Sequence, residues 1–128
     1  MSVLKQIEQI VEQCVQRVLF TAYGAYCPQK MLARFCADVR NHLRSDISNQ
    51  LPKITMTSLS FLDIHVAYTV DQSMNGIQES VTTLLVYVEA DAYLTTYCCT
   101  IPMTPQKLNN DDTTLNNVTW EPSTSSDV

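Results

Sequence analysis

Leu62-Asp63-Ile64-His65-Val66-Ala67-Tyr68-Thr69-Val70 changes side with every residue. Leu62, Ile64, Val66, Tyr68 and Val70 share one side of an extended chain, with Asp63, His65, Ala67 and Thr69 on the other. That period of two predicts a strand with one face on a core. Alternation begins earlier, with Ile54 and Met56 set against Thr55 and Thr57, so the chain is expected to leave helical periodicity at residue 54. Leu59 and Phe61 are out of phase with the later set, which predicts a bulge or short break within residues 58–62.

Downstream, Asp71-Gln72-Ser73-Met74-Asn75-Gly76 reads as a turn, because Asn75-Gly76 tolerates the positive φ values a tight reversal needs. Residues 81–90 form a second strand, apolar on both faces between Leu84 and Val88, which predicts a central strand covered on both sides. Glu89-Ala90-Asp91-Ala92 turns the chain into a third strand over residues 93–101, ended by Pro102 and Pro105.

Upstream the period is helical. Leu4, Ile7, Val11, Cys14 and Val18 recur at steps of three and four, widened by Val3, Ile10, Val15, Leu19 and Phe20, and predict a helix over residues 2–22. Ser2 suits its N-cap, and Gly24 suits a left-handed C-cap. A stripe this broad fits a sheet-facing helix with some surface left for a partner; barely three heptads fit, too few for a coiled-coil seam. A second helix is expected from Cys27-Pro28, with Pro28 at its first position, to Leu51-Pro52. Leu32, Phe35, Cys36, Val39, Leu43 and Ile47 line one side of it, with Lys30, Arg34, Arg40 and Arg44 on the opposite side. The fold class is therefore α+β: an αα-hairpin packed on an antiparallel sheet of three to four strands. Residues 1–105 form the domain and residues 106–128 a polar, acidic tail, whose composition predicts mobility.

Charge divides along the same boundary. Residues 1–53 carry seven of the eight Lys and Arg and balance at +3, while residues 54–128 carry Lys107 alone against nine acids and balance at −8. Local potential decides what a surface attracts, so the two halves suit different partners, or each other. Hydrophobic residues make up 45% of the chain, enough to bury a core at 128 residues. Only Gly24 and Gly76 are glycines, which excludes glycine-rich phosphate cradles.

No signal-peptide core interrupts the polar N-terminus and no run of 18 apolar residues occurs, so a cytoplasmic location is expected, extending to incorporation into a virus particle. Cys14, Cys27, Cys36, Cys98 and Cys99 are odd in number and irregular in spacing, as free thiols rather than a disulfide framework. The sequon Asn117-Val118-Thr119 then reads as chance.

Chemistry-bearing residues are few. His42 and His65 lie in no nucleophile signature, and structural histidines explain both. Cys98 and Cys99 are adjacent on a strand and point to opposite faces, so they do not share a metal ion. Asp63, Glu79, Glu89 and Asp91 read as solvated edge and turn charges rather than an acid–base pair. The chain is thus expected to be no enzyme and to hold no cofactor or metal. Lys30, Arg34, Arg40 and Arg44 are too few, and too lacking in interleaved aromatics, for nucleic acid at a net charge of −5.

They suit an acidic protein surface, and Leu115, Val118 and Trp120 are the tail residues expected to anchor a partner. The expectation is a non-catalytic assembly subunit that contacts other protein subunits, copies of itself among them, such as a neck, tail or capsid-stabilising protein of a virion. Behind it stand an acidic inhibitor that occupies a basic cleft and, last, a small cysteine enzyme.

Overall fold

A computed structural model of the chain describes residues 2–72, 80–101, 118–120 and 126–127. Helix α1 (Val3–Tyr23) and helix α2 (Leu32–Thr55) pack against each other and lie on one face of an antiparallel sheet. Three long strands build the sheet: β1 (Phe61–Gln72), β2 (Ser80–Ala90) and β3 (Tyr93–Ile101). Two short strands, β4 (Val118–Trp120) and β5 (Ser126–Asp127), pair with the far side of β1. The order is β3-β2-β1-β4, with α1 over β3 and α2 over β1. This is the expected α+β architecture of a helical hairpin on an antiparallel sheet.

Helix α1 is set by its caps. The Lys5 N–H donates to Ser2 Oγ at 3.2 Å, and Gly24 takes the left-handed conformation (φ 62°, ψ 34°) that ends the helix. Most of its stripe is consumed by the core: Ile7, Ile10, Val11, Cys14, Val15, Val18 and Leu19 are buried, while Leu4 and Phe20 are left exposed.

Helix α2 departs from expectation at both ends. Pro28 is extended (ψ 141°) and leads into a single 3₁₀ turn, Gln29–Met31, so the α-helix proper begins at Leu32. Pro52 sits inside the last turn, and the helix runs on to Thr55 instead of closing at Leu51. Pro52 lacks the N–H that would bond one turn back, and its ring crowds that turn's carbonyl. Leu51 is 1% exposed, Ile54 packs on the core, and the Thr55 hydroxyl donates to the Leu51 carbonyl at 3.2 Å. Burial wins over the local preference of the residue before proline. Ile54 and Thr55 are therefore helical rather than the start of a strand.

Met56 ends α2 in left-handed geometry (φ 59°) with its side chain 84% exposed. A long side chain is strained there and gains no packing in return. Met56→Gly is expected to raise stability by about 0.5–1 kcal/mol, read as a higher midpoint in urea; a fall would contradict that geometry.

The sequence's phase slip resolves as a break. Strand β1 starts at Phe61, and Leu59 is buried before it. The break is clamped from the β2–β3 hairpin: Asp91 (φ 50°) accepts from the N–H of Phe61 at 2.9 Å and of Ser60 at 3.1 Å, while its own N–H donates to the Phe61 carbonyl at 3.0 Å. Charge-assisted bonds to backbone outweigh neutral ones, tempered here by exposure. Asp91→Ala is expected to lower stability by about 1–2 kcal/mol in thermal unfolding, with Asp91→Asn recovering part of it; a silent Asp91→Ala would refute the clamp.

Register is uninterrupted from Leu62↔Ala90 to Gln72↔Ser80 and from Thr82↔Ile101 to Ala90↔Tyr93. Leu62, Ile64, Val66 and Val70 of β1 and Leu84, Val86, Val88 and Ala90 of β2 are buried under the helices. Both helices lie on one face of the sheet; on the other, Leu85 and Tyr87 of β2 are half-buried and Ala67, opposite Leu85, is fully buried. The Asn75-Gly76 turn, the Pro102 and Pro105 stop and the domain–tail boundary at residue 106 lie outside the described residues.

Candidate interaction surface

The sheet's second face is the place where polar side chains gather. Asp63 and His65 of β1 stand directly opposite Glu89 and Tyr87 of β2. His65 Nε2 lies 2.9 Å from Asp63 Oδ2, and its ring meets Tyr87 edge-on at 5.6 Å and 64°. The Tyr87 hydroxyl donates to Glu89 Oε1 at 3.5 Å. Partial desolvation, with the Glu89 carboxylate beside it, raises the Tyr87 pKa, so it remains a donor at neutral pH. Thr69, Thr83 and Leu85 continue the patch as half-buried groups, and Leu94, Thr96, Cys98 and Thr100 of β3 are exposed on it. Residues 54–101 contain no Lys or Arg. The face is consequently acidic at its β1–β2 end and neutral across β3.

The helical layer is the opposite. Two of its acids are held between the helices: Arg17 Nη2 donates to Asp46 Oδ2 at 2.6 Å, and the Tyr23 hydroxyl to Asp38 Oδ2 at 2.7 Å. At 100° per residue Arg40 and Arg44 lie on the flank of α2 away from these acids, while Arg34 stands one turn before Asp38 on the same side. Lys30, in the 3₁₀ turn, and Arg34 are exposed as expected, but Arg40 and Arg44 are half-buried and engaged, so only this second pair lies beside the core-facing side rather than opposite it. Val118 and Trp120 stand in β4, their backbone paired with Thr69 and Ala67 of β1, and Leu115 lies outside the described residues.

His42 is exposed on α2 and His65 is bound to Asp63. Burial pushes Cys14 up to about 12 and Cys27 and Cys99 up to about 11, away from the thiolate a nucleophile needs. Among the described residues, no group of three or more His, Cys, Asp or Glu converges as metal ligands would, and no helix is long and apolar enough to cross a membrane. A groove of about 300 Å³ between α1 and β3 is lined by Val15, Leu19, Phe20, Tyr26, Cys99 and Ile101. Sequence reading missed this groove, because its walls come from segments some eighty residues apart; the surplus width of the α1 stripe was the one local sign of it. No protein-family model, curated protein or solved structure matches the chain.

Proposed function

We propose that this chain is a non-catalytic assembly subunit, which docks into a larger protein complex through the acidic face of its sheet and the exposed cations Lys30 and Arg34 around the start of α2. The observation that carries the reading is the sorting of charge by layer. Lys30 and Arg34 project from the helical side, while Asp63 and Glu89 lie on the sheet face away from the helices, with no positive residue between Lys53 and Lys107. Faces of opposite sign steer association and fix orientation. When they are borne by one chain, copies can stack face to face, and such heterologous contacts close into rings or propagate as filaments. A virion neck, tail or capsid-stabilising position would suit a subunit of this kind, at the level of type alone.

Sedimentation of the purified chain over a range of salt tests the reading. Association that weakens as salt rises supports it, since exposed pairs are screened beyond about 10 Å at 0.1 M. A chain that neither self-associates nor binds a cationic protein at low salt would refute it. A monomer that binds only the cationic protein favours the acidic-inhibitor reading instead.

A further inference from the structure

We infer that β3 is a pairing edge, through which two copies of the chain join antiparallel about a two-fold axis so that one sheet runs across both. The reading deepens the assembly proposal and rests on it only for purpose, since the pairing follows from the strand itself.

Among the described residues β3 is the terminal strand, partnered by β2 alone, whereas the far edge of β1 is taken by β4 and β5. Its outward N–H and C=O groups therefore require a strand or water. Folded proteins guard such edges with charge, proline, bulges or brevity. Strand β3 has none of these guards. It is nine residues long, its sequence Tyr93-Leu94-Thr95-Thr96-Tyr97-Cys98-Cys99-Thr100-Ile101 holds no charged residue, proline or glycine, and its register with β2 has no bulge.

The same composition selects a second copy as occupant. Two-fold pairing sets like segments against each other, so a strand of net charge would meet a strand of the same sign across the ladder. Strands β1 and β2 carry Asp63, Asp71 and Glu89; β3 is neutral throughout. A register centred on Tyr97 places Thr95 opposite the partner's Cys99, and Ile101 opposite the partner's Tyr93. All four residue positions lie on the helix side of the sheet. The partner's Tyr93 then arrives beside the groove under Phe20 and Tyr26. Of the six large hydrophobic side chains exposed among the described residues, Phe20 (59%), Tyr26 (54%) and Leu94 (55%) flank this one edge, and pairing covers them.

The test is sedimentation equilibrium of the full chain at high salt, where contacts between charged faces are screened. The wild type is expected at twice 14.4 kDa. Thr96→Lys/Cys98→Lys places four cations around the axis on solvent-facing positions; it is expected at 14.4 kDa with an unchanged circular dichroism spectrum. A wild type that stays single at high protein concentration, a lysine variant that still pairs, or a mass beyond two copies at high salt overturns the inference. Should the lysine variant fail to fold, hydrogen exchange of the wild type decides. Outward β3 amides are expected to slow about tenfold or more as concentration rises, and amides indifferent to concentration overturn the pairing. Salt-sensitive stacking and salt-indifferent pairing fail separately, so loss of one leaves the other standing.

Discussion

Replacing Phe35 with alanine is expected to lower the unfolding free energy by about 3–5 kcal/mol, the range for deleting a fully enclosed ring. Phe35 is completely buried in the first turns of α2, and Tyr23 at the end of α1 meets it edge-on at 5.3 Å and 86°. Tyr23 is fixed in turn by its bond to Asp38, so the ring pair and the hydrogen bond together set how the two helices cross. Removing the ring opens a cavity where α1, α2 and the connecting turn meet, a place closed on all sides by rigid elements. A domain of this size has about 5–15 kcal/mol in total, so the variant is brought near the edge of folding. Urea denaturation measures it as a lower midpoint at unchanged slope. Phe35→Leu, which retains most of the volume, is expected to lose well under half as much. A loss below about 1 kcal/mol for Phe35→Ala would mean that the ring is not enclosed as described.

The second large effect is on association. Lys30→Glu/Arg34→Glu reverses two exposed cations and is expected to weaken low-salt association about tenfold or more, equivalent to about 1.4 kcal/mol. The loss should shrink as salt rises, and thermal stability should stay within about 0.5 kcal/mol of the wild type, as for most surface changes. Arg40→Glu/Arg44→Glu makes a sharper comparison. Both residues are half-buried and already engaged with neighbouring groups, so this variant is expected to lose stability as well as association. If reversing Lys30 and Arg34 leaves association untouched, these two cations are an ordinary solvated surface and the docking proposal loses its helical half.

Much of this architecture was legible in local sequence. Ser2 and Gly24 mark both ends of α1, and the alternation through Leu62–Val70 together with the Thr- and Tyr-rich run before Pro102 marks β1 and β3. Errors arose where a distant contact outweighed a local preference. Pro28 resembled a helix start, yet the chain stays extended there and spends one 3₁₀ turn before α2. Pro52 resembled a helix end, but Leu51 and Ile54 gain more from burial than the missing hydrogen bond costs. The apolar run in β2 did not reveal on which face both helices settle.

Asp91 illustrates the harder case. Its carboxylate secures backbone thirty residues earlier in the chain, and nothing in its immediate neighbourhood points there. The row of cations was visible in sequence, whereas the depth to which Arg40 and Arg44 sink was not, since it depends on how α2 rolls against β1. The charge boundary near residue 53 was the most informative single sign, because the fold converts it from a division along the chain into a division between layers.

The order of elements has a consequence during synthesis. Both helices precede the whole of the three-stranded meander, and translation proceeds at about 5–20 residues per second. A nascent chain therefore presents the residues of both helices for a few seconds before the ribosome has delivered β3. Through that interval the stripe of Ile7, Val11, Val18, Leu43 and Ile47 has no sheet to lie on. Chaperone capture, or premature clumping on crowded polysomes, would act in that window.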